Sequence, residues 1–193
     1  MLYTTLNQIR DHHPCGTARD ADCGFRKLLK YLGKTTSDDA RLSLETILKS
    51  NGLDDALWCL RAVPNVDFFA RHLALDYARS FEHLSVDPRV EACNDTVERF
   101  LKGKATKEEL AAAAANAYAA ATAAATAAAA DAAYAAANAY AANAAARAAG
   151  APAWAVGAVL AVARDAAWVA GDDARDAKSK HFLACLKAWP KGE

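Results

Sequence analysis

The chain has 193 residues, 54% of them hydrophobic, and its 23 basic and 23 acidic side chains cancel to a formal net charge of zero. The charges also balance within each part, because residues 1–105 carry 15 of each sign and residues 106–193 carry eight of each sign. A protein that binds a phosphate backbone concentrates Lys and Arg on one face, and a DNA mimic concentrates Asp and Glu. The even balance argues against both classes, and we expect no nucleic-acid partner.

The cysteines and the N-terminus bear on the compartment. The five cysteines are scattered and form no C-x-x-C pair, a usage typical of reduced intracellular thiols: Cys15, Cys23, Cys59, Cys93 and Cys185. The opening Met1-Leu2-Tyr3-Thr4 lacks the basic region of a signal peptide. The longest run of small apolar residues is alanine interrupted by Asn, Tyr and Asp, which is too weakly hydrophobic for a membrane span. We therefore expect a cytoplasmic protein without membrane association.

The first 105 residues read as a series of helices separated by Gly and Pro. Apolar residues recur at helical spacing, and Ser43, Asp67 and Asp87 stand where a helix N-cap is expected. The clearest stripe steps by four, four, four and three residues through Phe69, Leu73, Tyr77, Phe81 and Leu84. The predicted helices are residues 2–11, 20–32, 44–49, one opened by Asp54-Asp55 and ended by Pro64, one from Asp67 through Leu84, and one from Pro88 to Gly103.

A long alanine-rich segment follows. Between Ala111 and Ala149, 29 of 39 residues are alanine, the best helix former. Thr106 and Glu109 have the spacing of a capping box at the start, and Gly150 stands at the end. An unbroken helix over this segment would be about 64 Å long, whereas a compact globule of this chain length is about 40 Å across. The predicted helix must therefore protrude, bend or break.

The other residues of this segment divide between two sides of a helical wheel. Tyr118, Thr122, Thr126, Tyr140, Asn143 and Arg147 share one arc, and Asn116, Asp131, Tyr134 and Asn138 lie opposite. The two flanks between them contain only alanine. Small residues at a contact let helices approach closely, so we expect neighbouring helices to pack on these flanks.

Two further helices are predicted after the alanine segment, over residues 152–170 with Trp154 and Trp168 and over residues 172–189. No segment shows the alternation of a strand. The expected fold is all-α: a multi-helix bundle of about nine helices with one long alanine-rich helix, bent or broken, and no sheet. Residues 1–105 form an N-terminal helical lobe, and residues 106–193 form the alanine-rich part of one continuous domain.

The sequence offers little catalytic chemistry. The densest group of reactive side chains matches no standard zinc spacing, and we interpret it as a polar helix connection: His12, His13, Cys15, Asp20, Asp22 and Cys23. Asp54 and Asp55 are adjacent, so on a helix their carboxylates point about 100° apart and suit first-turn positions better than shared acid–base catalysis. Glycine-rich phosphate loops, G-x-S-x-G and H-E-x-x-H are absent from the sequence. We predict no enzyme activity, no metal and no cofactor.

Two groups of side chains are candidates for binding a protein partner. One lies on the helix opened by the paired acids: Asp54, Asp55, Trp58 and Arg61. The other lies on one arc of the alanine-rich segment: Tyr118, Tyr140, Asn143 and Arg147. Tyr, Trp and Arg are the usual anchors of protein interfaces.

Three blocks carry a resemblance to a known family. They are residues 28–35 (LLKYLGKT) with Asp38-Asp39 after them, residues 44–63 (LETILKSNGLDDALWCLRAV), and residues 102–110 (KGKATKEEL) leading into the alanine-rich helix. Together they resemble a family of immunity proteins found near bacterial toxin systems and in phage and prophage genomes. The resemblance spans roughly residues 20–149, and the run from Ser50 to Val63 is its most specific part. It implies a small intracellular helical protein that neutralises a toxin by binding it, and no catalytic residue carries over from the family.

Three hypotheses of function follow. The first is a non-enzymatic inhibitor that binds a protein effector, as a toxin-immunity protein or a phage-borne anti-defence protein. The second is a helical protein that sequesters a small ligand or a nucleotide in a pocket. The third is a structural scaffold that self-associates as a homo-oligomer through its alanine flanks.

Overall fold

A computed structural model describes residues 2–14, 23–84, 87–125, 130–150, 157 and 176–189. These residues contain nine α-helices and two 3-10 turns, at Cys59–Ala62 and Glu82–Leu84, which confirms the all-α prediction. The helices are α1 (Leu6–Asp11), α2 (Gly24–Tyr31), α3 (Leu44–Asn51), α4 (Leu53–Trp58), α5 (Asp67–Phe81), α6 (Pro88–Leu101), α7 (Lys107–Ala125), α8 (Ala130–Gly150) and a C-terminal helix over residues 176–188. The predicted helix over residues 152–170 lies outside the described residues.

A small sheet departs from the prediction of none. Strands β1 (Tyr3–Thr4) and β2 (Leu42–Ser43) pair antiparallel, with Tyr3 opposite Ser43. The Thr4 hydroxyl is buried and donates a hydrogen bond of 2.6 Å to the carbonyl of Ala62. Strands of two residues are too short to show an alternating pattern, so this pairing could not be predicted from the sequence.

The chain divides into two compact units. The first unit combines Met1–Val66 with Asp176–Glu193, and the second comprises Asp67–Arg175. This grouping differs from the expected division after residue 105. Helices α5 and α6 belong with the alanine-rich helices because Leu75, Val90 and Cys93 share their core.

Side-chain caps fix several helix ends at the predicted residues. Ser43 accepts a hydrogen bond of 3.1 Å from the amide of Thr46 at the start of α3. At the start of α7 the capping box is complete: the amide of Glu109 donates to Thr106 Oγ1 at 3.1 Å, and the amide of Thr106 donates to Glu109 Oε2 at 2.7 Å. These bonds satisfy amides that the first helical turn leaves without partners, which explains why the helices begin there.

The alanine-rich segment forms two helices rather than one. Three pairs bring the start of α7 to the end of α8: Asn143 Nδ2 donates to the carbonyl of Ala114 at 2.7 Å, the rings of Tyr118 and Tyr140 meet, and a Cβ built on Gly150 would lie 3.3 Å from Leu110 Cδ2. Residue numbers rise along one helix as they fall along the other, so α7 and α8 form an antiparallel hairpin. The long helix was expected to protrude, bend or break, and in the structure it breaks.

Buried alanines hold the hairpin in the core of the second unit. They pack with Val90, Cys93 and Val97 of α6 and with Leu75 of α5, and are Ala117, Ala120, Ala121, Ala139, Ala142, Ala146 and Ala149. The Cys93 thiol lies 3.5 Å from the carbonyl of Ala142 and donates to it. The small side chains allow close helix contact, as expected of the alanine flanks. These flanks serve packing within the chain, and self-association through them stays a prediction.

Candidate functional sites

A polar network in the first unit joins three helices. The Asn51 side-chain amide donates to the carbonyl of Gly24 on α2 at 2.6 Å and to Asp55 Oδ2 on α4 at 2.7 Å. The Ser50 hydroxyl donates to Asn51 Oδ1 at 2.6 Å and so fixes the orientation of that amide. Gly52 between the two helices has a φ of 96°, a backbone conformation that favours glycine. The polar residues at the start of the Ser50–Val63 run therefore have structural roles inside the first unit.

Gly24 is the point of closest approach in this network. An ideal Cβ on Gly24 would lie 2.1 Å from Asp55 Oδ2 and 3.2 Å from Asn51 Nδ2. We expect Gly24→Ala to displace the Asp55 carboxylate from the Asn51 amide. Loss of a hydrogen bond to a charged group costs about 1.5–3 kcal/mol, and the alanine returns about 0.5–1 kcal/mol of helix propensity. The variant should lose about 1 kcal/mol of unfolding free energy in urea.

A double-mutant cycle supplies the control for this prediction. In an Asp55→Ala background the added methyl group meets no carboxylate, so Gly24→Ala should be neutral or stabilising there. A loss of the same size in both backgrounds would show that Asp55 is not the cause.

A cleft opens beside the network, between α2, α3 and α4. Its volume is about 80 Å³, and its lining residues are Pro14, Gly24, Phe25, Leu28, Ile47, Asn51, Asp55, Trp58 and Cys59. The walls are mostly apolar, and Asp55 is the one lining residue that is charged at neutral pH. Pockets for drug-sized ligands measure roughly 300–1,000 Å³. This cleft is therefore too small for a nucleotide, which weakens the nucleotide-sequestering hypothesis at this position.

Two buried thiols are poor nucleophiles. Burial raises the pKa of the Cys59 thiol to about 12, and the nearby charge of Asp55 adds to the shift. Burial also raises the pKa of the Cys93 thiol to about 12. Both groups are protonated at neutral pH, whereas nucleophilic attack and metal binding need the thiolate.

The first group of candidates divides between the surface and the cleft. Its members were predicted on one helix, but α4 ends at Trp58 and Arg61 lies in the 3-10 turn Cys59–Ala62. Asp54 is exposed, while Asp55 and Trp58 are half-buried and line the cleft. The exposed Arg61 places its guanidinium carbon 5.4 Å from the centroid of the Trp58 ring, a cation–π arrangement. Asp55 thus faces the network and the cleft, and the surface positions of this group are Asp54 and Arg61.

The candidates on the hairpin include an exposed aromatic pair. The rings of Tyr118 and Tyr140 lie 6.1 Å apart between centroids at an interplanar angle of 67°, and the residues are 54% and 37% exposed. Arg147 is exposed two helical turns beyond Tyr140. Asn143 is half-buried and bonds across to the carbonyl of Ala114, so it ties the two helices together. The sequence placed these residues on one arc of a single helix, but the two tyrosines meet because the helix breaks and folds back.

The residues considered for a metal site near the N-terminus include one cysteine that is not a free thiol. His12 and His13 are exposed beyond the end of α1, and Cys15, Asp20 and Asp22 lie outside the described residues. Cys23 is disulfide-bonded, so the expectation of reduced thiols is wrong for this cysteine, and it offers no thiolate to a metal. Cys59, Cys93 and Cys185 are free.

A cysteine–histidine contact on the C-terminal helix was not singled out from the sequence. Cys185 Sγ lies 3.4 Å from His181 Nε2, and the two residues are four apart on one helical face. The i, i+4 spacing was available in the sequence as a signal. The contact joins neighbouring turns of a helix on which His181 is exposed.

Comparisons with known proteins found no protein family, no curated protein and no solved structure that matches the chain. The resemblance to immunity proteins therefore rests on the residues quoted for it. Among the described residues, no helix combines the length and the apolar character that crossing a membrane requires.

Proposed function

We propose that this chain is a non-enzymatic inhibitor that neutralises a bacterial effector protein by direct binding. Its contact surface is the tyrosine face, defined here as Tyr118, Thr122, Tyr140 and Arg147 on the exposed side of the α7–α8 hairpin. The observation that carries the proposal is the exposed Tyr118–Tyr140 pair. Two large aromatic rings side by side in solvent offer apolar area with polar hydroxyl tips, as interface hot spots do.

The surroundings of the pair support a protein as the partner. Between Ala111 and Gly150, Arg147 is the only charged residue whose side chain the structure describes. Interface centres are depleted of charge and enriched in Tyr and Arg, whereas an ordinary helix surface carries many Lys and Glu. Both tyrosines are anchored on helices, so little conformational entropy is lost when they bind.

The resemblance to immunity proteins indicates the class of protein to which the proposed partner belongs. Immunity proteins bind and silence a toxin, and phage-borne proteins of this kind would silence a component of a defence system. Either target is a bacterial effector protein.

Site-specific photo-crosslinking tests the proposal in the native host. A photoreactive benzoyl-phenylalanine replaces Tyr118, and in a matched control it replaces Tyr31, a 56% exposed tyrosine on α2 of the first unit. We expect irradiation to attach one host protein at position 118 and not at position 31, and the purified chain to inhibit that protein. Equal labelling at both positions, or a captured protein whose activity is unaffected, would overturn the proposal.

A further inference from the structure

The small cleft of the first unit has the composition of a cation site. Three apolar side chains, Phe25, Leu28 and Ile47, form its walls, and Asp55 and Trp58 add one carboxylate and one aromatic ring. The cleft volume of about 80 Å³ suits a small ligand rather than a drug-sized one. It fits the head of an amine or a guanidine with a short alkyl stem.

Within the part of the chain that the structure describes, Asp55 is a carboxylate held in place without a cationic partner. Asn51 Nδ2 donates to its Oδ2 atom, and Asn51 is itself fixed by the carbonyl of Gly24 and the hydroxyl of Ser50. Among the described residues, no Lys or Arg forms an ion pair with Asp55. A cation that enters the cleft gains this half-buried carboxylate as a counter-charge. The charge of Asp55 acts on the cleft, since it contributes to the raised pKa of the lining Cys59 thiol.

Trp58 supplies the second means of recognition. A Trp ring attracts a cation over its face, with the effect strongest for a partly desolvated group. The ring of Trp58 already has the exposed Arg61 guanidinium 5.4 Å from its centroid, and Arg61 is not among the lining residues of the cleft. A metal ion is a poorer fit, because one carboxylate, one amide and a protonated thiol do not make a complete ligand set.

We propose that the cleft binds a monovalent organic cation, an alkylammonium or guanidinium group, with Asp55 as its counter-charge and Trp58 as its aromatic wall. The cation comes either from a free small amine or from a Lys or Arg side chain of another polypeptide. This site does not depend on the tyrosine face, so each proposal can fail without the other.

A pair of isosteric probes tests the site in the intact chain. Methylguanidinium and neutral methylurea have the same shape and differ in charge, and NMR follows the indole N–H resonance of Trp58, assigned through Trp58→Phe. We expect methylguanidinium to cause a saturable shift with a Kd at least tenfold lower than that of methylurea. Equal affinities, or no saturable shift with either probe, would overturn the proposal without any variant.

The variant Asp55→Asn adds a second test. It keeps a carbonyl oxygen for the Asn51 amide and removes the charge, so it should bring the two affinities within about twofold of each other. An undiminished preference for methylguanidinium in this variant would contradict the role of Asp55. A blocked tripeptide with central arginine then identifies the source: tighter binding than methylguanidinium indicates a polypeptide side chain, and binding of the free cation alone indicates a small amine.

Discussion

Replacing Tyr118 and Tyr140 together with alanine is expected to weaken partner binding by about 100-fold or more while the chain stays folded. A hot-spot side chain contributes at least about 2 kcal/mol, which corresponds to roughly 30-fold in Kd for a single substitution. The two rings touch, so the effects of the single variants will not simply add. The host protein identified by crosslinking is purified without crosslinking, and isothermal titration calorimetry measures the loss of affinity.

Stability should change little in the same variants. The rings are exposed, and a T-shaped aromatic pair is worth about 0.5–1.5 kcal/mol. Against that loss, alanine is a better helix former than tyrosine by about 0.5 kcal/mol at each position. The unfolding free energy should therefore fall by less than about 1 kcal/mol. A loss of binding without a loss of stability separates a contact surface from a structural one.

Tyr31→Ala is the matched control for the pair. Tyr31 is as exposed as Tyr118 and lies on α2, away from the hairpin in sequence and in the other unit. We expect this variant to bind like the wild type. If the Tyr118→Ala, Tyr140→Ala double variant also bound with wild-type affinity, the tyrosine face would not be the contact surface.

The sequence predicted helices best where individual side chains mark their ends or faces. Ser43, Asp87 and the Thr106–Glu109 box each cap a helix with the predicted geometry. The stripe of α5 is also buried at Phe69, Leu73 and Tyr77. These signals are local, because a cap involves residues three apart and an amphipathic stripe involves residues three or four apart.

The break of the alanine-rich segment could not be located from the sequence. Alanine favours a helix at every position, and the sequence between Ala125 and Ala130 contains no Gly or Pro that would end a helix. Helix propensity favours one long rod, and burial of alanine side chains between the two helices favours folding back. Burial prevails, since Ala117 and Ala120 of α7 share a core with Ala139 and Ala142 of α8.

The candidate sites show the same division between local and long-range information. Asp55 and Trp58 were chosen by residue type and spacing. One wall of the cleft comes from α2, which lies more than 20 residues earlier in the chain and could not be placed there from the sequence. Asn51 was not chosen as a candidate, because an Asn-Gly pair after a helix indicates a turn. Its amide joins three helices only once the chain has folded, through Gly24 and Asp55.

The close packing of the alanine hairpin leads to the second large effect: Ala117→Leu should cost about 3 kcal/mol of unfolding free energy. Ala117 is fully buried and shares a core with Ala139 and Ala142 of α8. Leucine has nearly the helix propensity of alanine, so the change isolates the cost of inserting three carbon atoms into a filled contact. Circular dichroism at 222 nm should show a fall in Tm on the order of 10 °C.

Ala119→Leu provides the control, because Ala119 is on the same helix and exposed. A surface substitution of this kind should change stability by no more than about 0.5 kcal/mol. Equal effects at the two positions would contradict close packing of the alanine flanks.

Ala117→Leu also links the packing to the proposed function, since it leaves both tyrosines in the chain but forces α7 away from α8. If partner binding requires the two rings side by side, this variant should bind more weakly under conditions where it remains fully folded, whereas Ala119→Leu should not.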